Sequence, residues 1–133
     1  MADITTIRTK LAENLATITG LRTSEVLIDN PSPPIALVNL NTIDYHDDFG
    51  NGVVLNFSVQ VIVGRAAERT MQRKLDAYLS PTGAQSVKAG VESNRNLDGN
   101  CDDLVVSTAN AIGSLTINDQ LYLAAEFTIT VYA

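Results

Sequence analysis

Between residues 53 and 63 the chain reads Val-Val-Leu-Asn-Phe-Ser-Val-Gln-Val-Ile-Val, so that Leu55, Phe57, Val59, Val61 and Val63 alternate with Val54, Asn56, Ser58, Gln60 and Ile62. A period of two sends alternate side chains to opposite faces of a sheet, which makes this a strand with one buried face and one partly polar face. Such a strand demands partners. Residues 35–45 supply one, joined to it by the turn-rich His46-Asp47-Asp48-Phe49-Gly50-Asn51-Gly52. Residues 121–132 supply another, with Leu123, Ala125, Phe127, Ile129 and Val131 facing inward. Residues 104–108 read as a further strand, and 112–117 as an extra hairpin arm turning through Asn118-Asp119.

Helical spacing appears twice. Ile4, Ile7, Leu11, Leu15 and Ile18 recur every three or four residues, with Asp3 as candidate N-cap and Gly20 as the stop. Ala67, Met71, Leu75, Tyr78 and Leu79 do the same up to Ser80-Pro81-Thr82-Gly83, after which a second short helix starts near Ala84. Residues 25–28 suit a short strand, and the prolines of Asn30-Pro31-Ser32-Pro33-Pro34 force a loop. The expected architecture is α+β: a small, mostly antiparallel four-stranded sheet packed by an N-terminal helix and two central helices, in the order α-β-β-α-α-β-β.

A chain of 133 residues is the size of one domain, here 1–133, and buries roughly two-thirds of its unfolded surface. With 45% hydrophobic and 18% charged residues it falls outside the disordered class. Its longest apolar runs are far short of the ~20 residues a membrane helix needs. The amino terminus places Asp3 and Glu13 among its apolar residues and lacks the features of a secretory signal, so a cytoplasmic site of synthesis is expected. Cys101 is the single cysteine, which excludes an intrachain disulfide and a two-cysteine zinc motif. A net charge of −6 argues against a dedicated nucleic-acid binder.

Several residue groups are candidates for chemistry. His46 beside Asp44, Asp47 and Asp48 has metal-binding and acid–base residue types, but neighbours in a strand alternate faces and cannot all converge. Asp98, Asn100 and Asp102 match the opening of a calcium loop, yet the glycine and glutamate that loop requires are replaced by Asp103 and Ala109. Cys101 has no histidine near it in sequence; with His46 it is the only pair on which a small α/β hydrolase could rest. No phosphate-binding glycine motif is present. Arg65, Arg69 and Arg73, spaced by four, would stack on a helix face opposite Met71 and Leu75. Like charges so placed repel by roughly 0.2–0.5 kcal/mol per pair, and acids of a neighbouring copy, such as the Asp44, Asp47 and Asp48 turn, would relieve this.

The segment AYLSPTGAQSVKAGVESNRNLDGNCDDLVV, followed by LYLAAEFTITVYA, resembles tail terminator proteins of long-tailed bacteriophages, especially those of actinobacterial hosts. The resemblance is carried by Tyr78-Leu79 before Pro81 and Gly83, by Ser86-Val87-Lys88-Ala89, and by the Leu97-Asp98-Gly99 turn leading to Asp102-Asp103, with Asp98 standing where a second glycine is usual. It implies a virion protein assembled in the host cytoplasm. Such a protein forms a ring, typically a homohexamer, that caps the tail tube and joins it to the head connector. It also implies partners (other copies, tube protein, connector) and DNA passing through the lumen, with no catalysis, cofactor, metal or membrane. Six copies at −6 would total about −36, a sign that repels phosphate. The outward positions Asn56, Ser58, Gln60, Tyr122, Glu126, Thr128, Thr130 and Tyr132 suit a wet interface or lumen, and the terminal strand is expected to pair with the next subunit. A head-completion or connector protein is the alternative within this class.

Overall fold

The computed structural model describes residues 4–18, 20–24, 34–47, 52–65, 70–117 and 119–132, without the side chains of His46 and Asp47. Five strands form one mixed sheet: β1 (Arg22–Ser24), β2 (Ile35–Asp47), β3 (Gly52–Arg65), β4 (Asp103–Ile117) and β5 (Gln120–Tyr132), in the spatial order β1-β2-β3-β5-β4. Helices α1 (Ile4–Ala16), α2 (Thr70–Leu79) and α3 (Val87–Val91), with a 3-10 turn at Glu92–Asn94, complete the α+β fold.

The alternation in β3 is realised as a core. Leu55, Phe57, Val59, Val61 and Val63 join Ala125, Phe127, Ile129 and Val131 of β5 beneath Ile7, Leu11 and Leu15 of α1 and Met71, Leu75 and Tyr78 of α2. Gly64 lets α2 approach, because a Cβ there would collide with the Met71 side chain. Ser86 caps α3 by accepting from the Ala89 N–H at 3.1 Å, and its own hydroxyl donates to Ser80 O. Buried Asn14 ties α1 to the next layer, donating to Val91 O at 3.0 Å and Asn94 O at 3.2 Å.

Four expectations need correction. The sheet has five strands, and its extra strand, β1, runs parallel to β2 and pairs Arg22 with Ile35 through Ser24 with Leu37. The 25–28 strand and the Asp3 cap lie outside the described residues. Residues 104–108 and 112–117 are one continuous strand, bent by irregularities between Val106 and Thr108 and between Asn110 and Gly113. The last strand is not an edge: β5 is flanked by β3 and β4, so its backbone groups are taken on both sides. Tyr122 also departs from its outward reading. It is buried with Ile35, Leu37, Ile62 and Ala124 in a second apolar cluster on the open face, with Leu115 and Ile117 packed against them.

Candidate functional site

The sheet face turned away from the helices divides into an apolar end, formed by the second cluster, and a polar middle. Register places Thr42, Asn56, Thr130 and Val105 in line across four strands, followed by Asn39, Ser58, Thr128 and Thr108, then Leu37, Gln60, Glu126 and Asn110. The first line is bonded crosswise: Asn56 Nδ2 donates to Thr42 Oγ1 at 2.9 Å, and Thr130 Oγ1 donates to Asn56 Oδ1 at 3.4 Å. These three lines contain no lysine or arginine; Arg65, opposite Tyr122, lies beyond them at the end of the sheet.

That position breaks the expected arginine row. Arg65 closes strand β3 instead of opening a helix, Arg73 is exposed on α2, and Arg69 lies outside the described residues. Asp44 is exposed on β2 opposite Val54. Asp47 pairs through its backbone region with Gly52, its side chain and all of Asp48 lying outside the described residues. From Val54 to Arg65 the strand advances roughly 35 Å at about 3.3 Å per residue. Asp44 and Arg65 therefore mark opposite ends of the molecule.

The candidate catalytic pair is also kept apart. His46 is on β2, whereas Cys101 lies two residues before β4, three strand spacings or about 14 Å away across the sheet. The Cys101 thiol is buried in the helix-side core and donates to Arg95 O at 3.5 Å. Burial, reinforced by Asp103 and Asp102, pushes its pKa up to about 11, which suppresses the thiolate a nucleophile needs. Asp98 faces Lys10 at 3.3 Å and accepts from Asn94 at 2.8 Å, and these bonds hold its carboxyl below the usual carboxylate range. Asn100 donates to Leu97 O. The turn is thus built from local bonds around two left-handed residues, Leu97 at φ 51° and Asp98 at φ 57°, with Leu97 fully buried. Among the described residues no cluster of three His, Cys, Asp or Glu side chains is placed to hold a metal, and no helix is long and apolar enough to cross a membrane.

The polar group that sequence reasoning missed lies along the free margin of β4. Glu92 accepts from Lys88 Nζ at 2.6 Å and from the Val106 N–H at 3.0 Å, with Arg95 at 3.7 Å. Arg95 in turn holds Asp103 through two hydrogen bonds of 2.8 and 3.1 Å. Burial pushes the Glu92 carboxyl upward, but the Lys88 bond, the Val106 amide and both cations outweigh it and hold the group below its ordinary value. Asp103 is held low chiefly by Arg95, with the neighbouring Leu104 amide acting in the same direction. The spacing of Lys88, Glu92 and Arg95 hints at the ion pairs; the bond from Glu92 to a distant backbone amide has no signature in sequence.

Two depressions flank the helical layer. A cleft of about 450 Å³ is lined by Gly20, Pro34, Lys74, Ala77, Tyr78 and Gln85. A groove of about 140 Å³ runs where α2 and α3 stop short of β4, between Leu79, Pro81, Lys88 and Ala109. Neither brings together a nucleophile and a base. Compared with known protein families the chain matches none, and no curated protein matches it in sequence.

Proposed function

We propose that this protein is a ring-forming subunit of a phage tail: a tail terminator that caps the tube, docks to the head connector and lets DNA through. The observation that carries the reading is the open sheet face, whose three central lines are made of Asn, Thr, Ser and Gln together with Val105 and Leu37, with Glu126 as the charged member. DNA affinity grows with the number of phosphates a protein neutralises, and these three lines, which hold no Lys or Arg, neutralise none. Placed toward a lumen, this face lets a duplex slide without sticking, and the −6 charge of each copy adds repulsion.

The two ends of the sheet fit a subunit stacked between unlike neighbours. Arg22 and Arg65 lie toward one end, which also carries the Asp119 turn, and Asp44 and Asp102 toward the other, which also carries Arg95. A ring whose axis follows the strands offers these ends to tube and connector, rather than pairing them side by side. Light scattering on the eluting chain, alone and mixed with tube protein, tests the reading. A ring, most simply a hexamer, that appears with tube protein and leaves duplex DNA unbound supports it. A strict monomer under both conditions overturns it.

A further inference from the structure

The cleft between α2, Gly20 and Pro34 lies apart from the open sheet face. Its volume of about 450 Å³ falls within the roughly 300–1,000 Å³ of pockets that hold small ligands. Gly20, Pro34 and Ala77 give it apolar walls, and Lys74, Tyr78 and Gln85 supply side-chain polar atoms; no acid is among them. The fold holds these groups in place. Lys74 and Tyr78 stand four residues apart on one face of α2, and because helical side chains lean toward the N-terminus, Tyr78 leans over the turn of Lys74. Gln85 sits in the segment joining α2 to α3, which the Ser86 hydroxyl fastens by donating to Ser80 O and accepting from the Ala89 N–H. Across the cleft, the Pro34 carbonyl accepts from the Arg22 N–H at 3.1 Å.

Two of the polar groups lack partners. Tyr78 is only 4% exposed, yet among the described residues its hydroxyl makes no hydrogen bond, whereas buried tyrosine hydroxyls ordinarily find one. The side-chain atom sealed from solvent without a partner among those residues is Arg8 Nε, so the Tyr78 hydroxyl is not sealed in: it opens into the cleft that Tyr78 lines. Burial raises the Tyr78 pKa by penalising the phenolate, which keeps the hydroxyl a donor. Lys74 is exposed and forms no ion pair among the described residues. What the cleft lacks is a negative charge. A carboxylate accepts from phenol and ammonium together, in bonds roughly twice as strong as neutral ones. A phosphate, carrying about two charges, would outrun the single cation present.

We propose that this cleft binds a carboxylate on a short aliphatic stem, with the Tyr78 hydroxyl donating to the carboxylate, Lys74 Nζ pairing with it, and the stem lying against Gly20, Pro34 and Ala77. A glutamate side chain of another polypeptide and a free short-chain acid share that chemistry. The site stands apart from the ring reading, since none of its groups belongs to the polar lines of the sheet.

Nuclear magnetic resonance on the full chain tests it, with hexanoate, hexanamide and a blocked alanine–glutamate–alanine peptide as probes. The amide signals of 74–78 and 85 should shift saturably with hexanoate or the peptide, and the tighter of the two tells a free acid from a polypeptide source. Hexanamide, equal in shape but uncharged, should bind roughly tenfold more weakly than hexanoate. Tyr78→Phe should weaken the acid about tenfold without lowering the thermal midpoint, because the hydroxyl it removes has no partner in the fold. Lys74→Met should erase the preference for acid over amide. Equal binding of hexanoate and hexanamide, shifts that fall outside the cleft, or no saturable shift with either acid at about 50 mM overturns the site. A lowered midpoint in Tyr78→Phe would place the hydroxyl in an internal bond and overturn its donor role. None of these results bears on whether the chain forms a ring.

Discussion

Within β4, the residues before and after Val106 share a backbone and a partner strand yet behave as different structures. Leu104 and Val106 are buried against the helices, and the outward Val106 amide is held by the Glu92 carboxylate; beyond them 107–112 is exposed on both faces, with Ile112 53% exposed. The difference is where the helical layer ends. α3 and its 3-10 turn lie over the start of β4, and Asn14 ties them to α1, so that end is cross-linked from three directions. The rest of β4 runs past this cover. A strand can thus be core at one end and exposed surface at the other, the boundary being set by its neighbours and not by its own propensity.

The comparison can be broken most decisively at Leu104. Leu104→Ala should cost about 2–5 kcal/mol in urea unfolding, and Leu115→Ala, which is half-buried, should cost clearly less. Equal losses would mean that the far part of the strand is as tightly packed as the end beneath the helices. Next in size, Asn14→Ala leaves the Val91 and Asn94 carbonyls without their donor and should destabilise by about 1–3 kcal/mol, read from the denaturation midpoint.

Glu92→Gln keeps the shape but removes the charge facing Lys88 and Arg95, at an expected cost of about 1–2 kcal/mol near neutral pH. Because the folded carboxyl is held below its ordinary value of 4.5, its stabilisation is fully present above that pH and is lost as pH falls through the folded value. Stability measured against pH should therefore fall less steeply on the acid side in Glu92→Gln, and an unchanged acid limb would show that the Glu92 carboxylate contributes nothing. The smallest effect belongs to the bare part: Ile112→Ser should alter the unfolding free energy of the dissociated chain by less than about 0.5 kcal/mol.

Much of this fold is legible because burial on one face leaves a period. β3 and β5 announce themselves by alternation, and α1 and α2 by spacings of three and four, as Ile7, Leu11 and Leu15 and then Met71, Leu75 and Tyr78 are all buried. Where no face is buried no period exists, and the middle of β4, with its small polar residues, reads like a loop. β1 is too short to show a pattern. Arg65 falls into a helical row on spacing alone, because a spacing of four carries no information about where a strand ends. The clustering of Ile35, Leu37 and Ile62 with Tyr122 depends on which strands lie side by side, which alternation alone leaves open.

The sequence by itself determined the α+β class, the helix-facing core and the polar character of the other sheet face, because each follows from local periodicity. Tertiary structure alone decided that the last strand is interior and β4 is the edge. It also set Arg65 and Asp44 at opposite ends, and it joined the Glu92 carboxylate to the Val106 amide. These are pairings between residues far apart in the chain, fixed by strand order and register, and no local pattern encodes them.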